Sequence, residues 1–277
     1  MVIVDTHVHT APYWYEPIEA LLFHMESNGV DKAVLVQFIG NYDNRYELEC
    51  VRSYPGRFAA VVLVDTKLSD APDTLEKWAN DGAVGVRLKP DCRSAGPDPL
   101  AIWRKASELG LVVSCSGRLD KFAADDFRRL VEELPNLKIV LEHLGGAGPQ
   151  PPIDLEKLER VGDAGFEPQI DYNLFEKVLA LAKYPNIYIK LPGFGEILTR
   201  PMPIRSVPFS EPPRVVRMAY EAFSRERMMW GSNFPPCSQA EGYTNTLRIP
   251  MEKTPFFSEE DKEWIFGKAA LSVWKMT

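Results

Sequence analysis

Eight short apolar runs rich in β-branched residues recur along the chain, each followed by a segment of helical period. No other feature constrains the fold as much. The runs are Val2–Val8, Ala33–Val36, Ala59–Val64, Ala83–Leu88, Leu111–Ser114, Leu137–Leu141, Ile187–Leu191 and Met228–Trp230. Strand–helix alternation implies parallel strands joined by right-handed crossovers. Eight such units filling 277 residues favour closure into a single-domain α/β fold, a (β/α)8 TIM barrel over 1–277, a size close to the roughly 250 residues such barrels take. No G-x-G-x-x-G or Walker loop follows any run, which argues against an open nucleotide-binding sheet.

The helices have legible ends. Pro17 opens a segment whose Ile18, Leu21, Leu22 and Met25 share a face, and Gly29 stops it. Asp98 precedes a helix that runs to Gly110, and Asn173 opens one that stops before Pro185. Ser258-Glu-Glu-Asp261 is a capping-box pattern for the last helix. Further helices fit Asn44–Tyr54, Asp73–Asn80, Ala124–Leu134 and Pro213–Ser224. Three strand-to-helix connections are long and rich in Pro and Gly: 145–172, 193–212 and 235–257. In such a barrel these lie on the catalytic rim and are expected to cap the substrate.

With 39 acidic against 32 basic residues the net charge is −7. No long like-charge run occurs, so neither nucleic acid nor an anionic membrane is expected as a partner. A small-molecule substrate, even an anionic one, is still allowed, because a local Arg/Lys cluster overrides the average. The chain starts a strand at Met1-Val-Ile-Val-Asp5 without a basic leader, and no apolar run is long enough to span a bilayer. Four scattered cysteines form no C-x-x-C pair. A reducing, cytoplasmic setting is expected.

A barrel places its chemistry at the C-terminal ends of its strands. Those ends read His7 and His9, Gln37, Asp65, Arg87 and Lys89, Cys115, His143, Lys190 and Asn233. This is a polar list for positions that close apolar runs. His7 and His9, two apart, project to one face, where paired imidazoles either share a metal or bracket a substrate oxygen; two hydrogen-bonded structural histidines are the plainer alternative. Arg87 and Lys89 share a face and suit a substrate carboxylate, unless Arg87 pairs with a neighbour such as Asp65. Cys115 is either a zinc thiolate or a small buried hydrophobe. Gln37 and Lys190 are weaker substrate-binding candidates. Tyr13 and Trp14, just past the histidine pair, are placed to wall the pocket, and His24, between Phe23 and Met25, reads as structural.

Four stretches together resemble one family. They are Ile3-Val-Asp-Thr-His-Val-His9, Gly85-Val-Arg-Leu-Lys-Pro90, Ile139-Val-Leu-Glu-His-Leu-Gly-Gly146 and Met229-Trp-Gly-Ser-Asn-Phe-Pro235, supported by Asp43-Asn44 through Tyr54-Pro-Gly-Arg-Phe58. The pattern, spread over the whole chain, is similar to the amidohydrolase-related superfamily, in the branch of lactonases and metal-dependent decarboxylases. The resemblance implies a metal site built from the strand-1 histidines, a histidine ending strand 5 and an aspartate ending strand 8. Here those last two positions hold Cys115 and Asn233. It also implies an acid/base or carbonyl-polarising role for His143, and it permits a homodimer.

A hydrolase of a small, carboxylated lactone or similar cyclic ester is therefore the expected function, with His7, His9, His143 and Asn233 as catalytic residues. Asn233 would position the attacking water, since an amide cannot take its proton. The reaction would run without metal, or with one divalent ion (Zn or Mn) held weakly by His7, His9 and Cys115. The alternatives are a decarboxylase of the same family, and a non-catalytic binding protein that lacks the strand-8 carboxylate.

Overall fold

A computed structural model describes residues 1–148, 159–161, 165–167, 170–198 and 211–276. The strands are β1 (Val4–Val8), β2 (Lys32–Val36), β3 (Phe58–Val62), β4 (Gly85–Leu88), β5 (Val112–Cys115), β6 (Ile139–Leu141), a small antiparallel hairpin of β7 (Glu159–Val161) and β8 (Gly165–Glu167), then β9 (Ile187–Leu191) and β10 (Met228–Trp230). Eight of them form one parallel sheet in the order β1-β2-β3-β4-β5-β6-β9-β10. The ends meet where Asn233 N donates to His7 O at 2.8 Å and His9 N to Phe234 O at 2.7 Å, so the sheet is a nearly closed barrel.

Alternation along each strand divides the apolar residues between two cores. Val34, Val36, Val61, Val112, Val140 and Met229 fill the barrel with Trp274, which follows the C-terminal helix Ala269–Val273. The opposite faces, among them Leu35, Val62, Val113, Cys115 and Ile189, pack under the surrounding helices. Gly85 is required inside: a Cβ there would lie 2.6 Å from Val112 O and 3.0 Å from the Trp274 ring.

One irregularity decides the site. Val4 packs inside the barrel and Val8 outside it, although four residues apart on a regular strand they would share a face. The β1–β2 register slips between Asp5 and Val8, where three residues of β1 span two of β2 (Asp5↔Ala33, Val8↔Leu35). This bulge inverts the alternation and turns His7 and His9 towards the mouth.

Several helix ends follow their sequence signals, but Asp171 and not Asn173 caps the helix Tyr172–Leu179, its side chain accepting from Leu174 N. Helix Ile18–Asn28 stops on Gly29 in the left-handed conformation (φ 67°), and Ser258 and Asp261 form both halves of a capping box. The connection 235–257, expected to be a rim loop, instead holds a 3-10 turn (Pro236–Gln239) and an eleven-residue helix, Tyr243–Lys253, with Pro250 inside it. That proline hid the helical period. Of the other two expected rim loops, residues 149–158, 162–164, 168–169 and 199–210 lie outside the described residues. No helix among the described residues is long and apolar enough to cross a membrane.

Candidate active site

Three imidazoles converge at the mouth. The His7 ring centroid lies 4.9 Å from that of His9 and 4.8 Å from that of His143, with both pairs steeply inclined. Gly231, just past β10, makes room for His7, since a Cβ there would fall 2.7 Å from His7 Cβ. Asp5 ties the same segment to the end of β10: its Oδ1 accepts from Ser232 N at 2.8 Å and His7 N at 3.1 Å. Burial pushes the Asp5 carboxyl up to about 6.

Each histidine has a different partner. His9 Nδ1 donates to Val36 O at 2.6 Å, which leaves Nε2 with its lone pair. Burial, reinforced by the charge of Arg87, pushes His9 down to about 3, so it is neutral. Tyr15 stacks on its ring at 5.5 Å. His7 Nδ1 lies 2.9 Å from Lys190 Nζ, while its buried Nε2 has no hydrogen-bond partner among the described residues. Burial and the neighbouring cation of Lys190 hold His7 well below the usual histidine range. His143 differs: Nδ1 is paired with Glu196 Oε1. Burial alone would lower its basicity, but the Glu196 carboxylate, together with Glu142, outweighs burial and raises it.

Glu142, the residue after β6, lies at the centre of the floor. Its Oε1 accepts from Ser114 Oγ at 2.7 Å and Arg87 Nε at 3.1 Å, and its Oε2 from Arg87 Nη2 at 2.7 Å. It is fully buried. Burial would raise its pKa, yet Arg87, Lys190 and His143 hold it far below the usual carboxylate range. Lys190 Nζ also reaches Ser114 Oγ at 2.9 Å. Burial of this ammonium pushes it down to about 7 despite Glu142 nearby.

Glu196 comes from the turn Phe194–Ile197, which is held by Gly195 N donating to Glu241 Oε1 at 2.7 Å. Asn233 Nδ2 donates to Glu196 Oε2 at 3.1 Å. The chain at His143–Gly146 makes one left-handed turn, with φ of 51°, 51°, 63° and 79°. Such values are costly for His143 and Leu144, and here they occur where β6 delivers a histidine to the mouth.

The structure thus gathers His7, His9, His143, Lys190 and Asn233, and it corrects several expectations. Cys115 is not at the mouth: it lies beside Val113 in the outer core, fully buried, its thiol pushed far up by burial. Strand alternation points Ser114 inward in its place. Arg87 is paired with Glu142, not Asp65, and its Nη1 donates to Gln37 O at 3.1 Å. Its guanidinium is therefore engaged with protein and not open to a substrate carboxylate. The Gln37 side chain donates to Asp43 O and accepts from Phe38 N, so it holds a loop. Tyr13 is 79% exposed, and Tyr15 takes the place beside His9 expected of it. Asn233 contacts Glu196, a residue no motif had marked. Lys89 stays exposed and lines a cavity of about 250 Å³ with Tyr42, Leu63, Arg87 and Ser116. His24 stacks on Tyr243, as a structural residue does.

A model of the amidohydrolase family matches residues 4–276. The chain belongs to the amidohydrolase family. Among solved structures, this amidohydrolase is similar to a candidate 2-pyrone-4,6-dicarboxylic acid hydrolase from Pseudomonas putida (20% identity, TM-score 0.71, covering 98% of this chain and 97% of that one). It is also similar to a zinc-bound amidohydrolase from Burkholderia multivorans (17%, 0.75, 99% of each) and to 5-carboxyvanillate decarboxylase from Sphingomonas paucimobilis (16%, 0.65, 100% and 99%). At these identities the likeness speaks for the barrel alone. Among curated protein sequences, none matches.

Amidohydrolases of this branch raise the question of a metal. His7, Glu142 and His143 offer ligand atoms within 4.8 Å of one another, so the spacing of a metal site is present. The donor chemistry fits a divalent ion poorly. Both Glu142 oxygens already carry strong donors, and two buried cations, Arg87 and Lys190, flank the same carboxylate. An added divalent charge would meet their repulsion at close range.

Proposed function

We propose that this amidohydrolase hydrolyses a small carboxylated lactone or similar cyclic ester, using its own side chains as acid, base and oxyanion donor. The observation that carries the reading is the His143–Glu196 pair beside His7, whose buried Nε2 has no hydrogen-bond partner among the described residues. A carboxylate on Nδ1 fixes an imidazole with its Nε2 free to take a proton and stabilises the imidazolium that results.

In this mechanism the ester carbonyl oxygen accepts a hydrogen bond from His7 Nε2. Water donates one proton towards the His9 Nε2 lone pair, which orients it, and the other passes to His143 Nε2 as the water oxygen attacks the carbonyl carbon. The tetrahedral oxyanion stays on His7. Its collapse breaks the ring C–O bond, and His143 returns the proton to the departing alkoxide. One water is consumed, and a hydroxy acid leaves. Asn233 holds Glu196, and through it His143, in place of the water-positioning role expected from sequence. Lys89, which lines its cavity with Lys67 and Arg87, is the cation assigned to the substrate carboxylate.

The converging ligand atoms of His7, Glu142 and His143 favour a second reading, a metal-dependent decarboxylase. Incubating the purified protein with carboxylated lactones and with hydroxybenzoates, with and without EDTA, separates the two. Ring opening that survives chelation supports the hydrolase. Carbon dioxide release that needs added Zn or Mn would replace it with the decarboxylase.

A further inference from the structure

We infer that Lys190 sets the tautomer of His7: by donating to Nδ1 it places the imidazole proton on Nε2, making that nitrogen a hydrogen-bond donor and not a metal ligand. The inference takes its catalytic meaning from the proposed hydrolysis, but it stands on geometry alone.

Lys190 Nζ is buried, with His7 Nδ1 and Ser114 Oγ each at 2.9 Å. Ser114 Oγ commits its own proton to Glu142 Oε1, so towards Lys190 it can only accept. In its ammonium form Lys190 therefore donates in both directions, one hydrogen bond removed from the Glu142 charge. A neutral imidazole has a single N–H, and with Nδ1 accepting, that proton must sit on Nε2. Nε2 is buried and has no hydrogen-bond partner among the described residues, and a buried donor in that state gains from an acceptor in the substrate.

His9 is the internal contrast. It follows His7 by two residues, yet its Nδ1 meets a carbonyl, which only accepts. Its proton is therefore on Nδ1 and its Nε2 is bare. The two histidines of one H-x-H pair thus carry opposite tautomers, one set by a cation and the other by a carbonyl. A shared metal would need both Nε2 atoms bare, so Lys190 is also what withholds His7 from such an ion. Lys190 is a positioning residue that acts through His7.

The test reads the tautomers directly. The sequence has four histidines, so long-range 1H–15N spectra of the full-length, 15N-histidine-labelled protein, assigned with single His→Gln variants, resolve each ring. The expected result, at a pH low enough for Lys190 to be an ammonium, is His7 protonated on Nε2 and His9 on Nδ1. In Lys190→Met, with folding checked by circular dichroism, His7 should show a detectable Nδ1–H population. Its kcat on a lactone substrate should fall by about 10²–10³-fold, the loss typical of an oxyanion donor, with KM changed far less. A parent His7 protonated on Nδ1 overturns the inference, as does a variant whose His7 stays wholly Nε2-protonated. Should the variant fail to fold, the parent spectrum still decides. Expected tautomers without any lactone hydrolysis would defeat the proposed function alone. The wrong tautomer in a working hydrolase would defeat this inference alone.

Discussion

The two sides of the barrel mouth use the same side chain in opposite ways. On one side Lys190, a cation, backs His7 from β9; on the other Glu196, an anion, backs His143 from the turn after β9. His7 is buried and His143 partly so, and loss of solvent by itself disfavours the charged form of each. The partner then decides the outcome. The cation keeps His7 neutral, while the carboxylate lifts His143 towards protonation. A donor that stays neutral and a base that gains a proton are what ester hydrolysis needs on opposite sides of a carbonyl. Residue type alone would not have distinguished them.

The sharpest way to break the comparison is to remove the base. His143→Ala should lower kcat by about 10²–10⁴-fold, the usual contribution of a general acid/base, measured in initial-rate assays on a hydrolysed lactone. A fall no greater than that of a surface variant would move the base elsewhere. Next in size is the floor that both sides share. Arg87→Met strands the buried Glu142 carboxylate, and loss of one partner of such a pair costs about 3–5 kcal/mol. Chemical denaturation should show it; an unchanged midpoint would mean that Lys190 and Ser114 suffice to hold Glu142.

A smaller effect tests the electrostatic half of the contrast. A general base works in its unprotonated form, so kcat/KM falls on the acid side at the pKa of His143, which Glu196 raises. Glu196→Gln should therefore move that acid limb to lower pH and reduce kcat, whereas the matching change at His9 has no carboxylate to lose. An acid limb that stays in place would separate Glu196 from His143. The smallest expected effect concerns Cys115. Cys115→Ala should leave kcat and KM within twofold, as suits a thiol in the outer core, at a modest stability cost of about 1 kcal/mol. Lost activity restored by zinc would return Cys115 to the site.

Stability against pH gives a further check on His9. Its pKa is about 3 in the fold against an ordinary 6.5, so the unfolded chain takes up a proton that the folded one refuses. The stability it contributes is complete above about 6.5 and is lost as pH falls towards 3. Thermal melts should decline over that window, less steeply in His9→Gln. An equal slope in the variant would show that His9 titrates normally.

Much of the barrel was legible because its signals are local. Runs such as Ile187–Leu191 and Met228–Trp230 match their strands residue for residue, and the Gly29 and Ser258 signals end and start the helices they mark. Helix Tyr243–Lys253 was missed because Pro250 interrupts its period. At the site, His7, His9, His143 and Asn233 stood out as polar ends of apolar runs. Glu142 was in plain view between Leu141 and His143, but it was passed over as a strand end. Glu196 carried no signal, since its turn is placed by Glu241, 45 residues further along the chain.

Alternating strands and helices, and a polar residue at the end of each strand, are properties of neighbouring residues, so the chain by itself determined a barrel with an active mouth. Which way each side chain faces, and what it meets there, depends on contacts between distant segments. The β1 bulge turned the histidines inward, strand parity sent Cys115 outward, and Lys190 and Glu196 came from far along the chain to make one imidazole a donor and the other a base. Only the tertiary structure could decide these, because the proton on a histidine goes where its spatial neighbours put it.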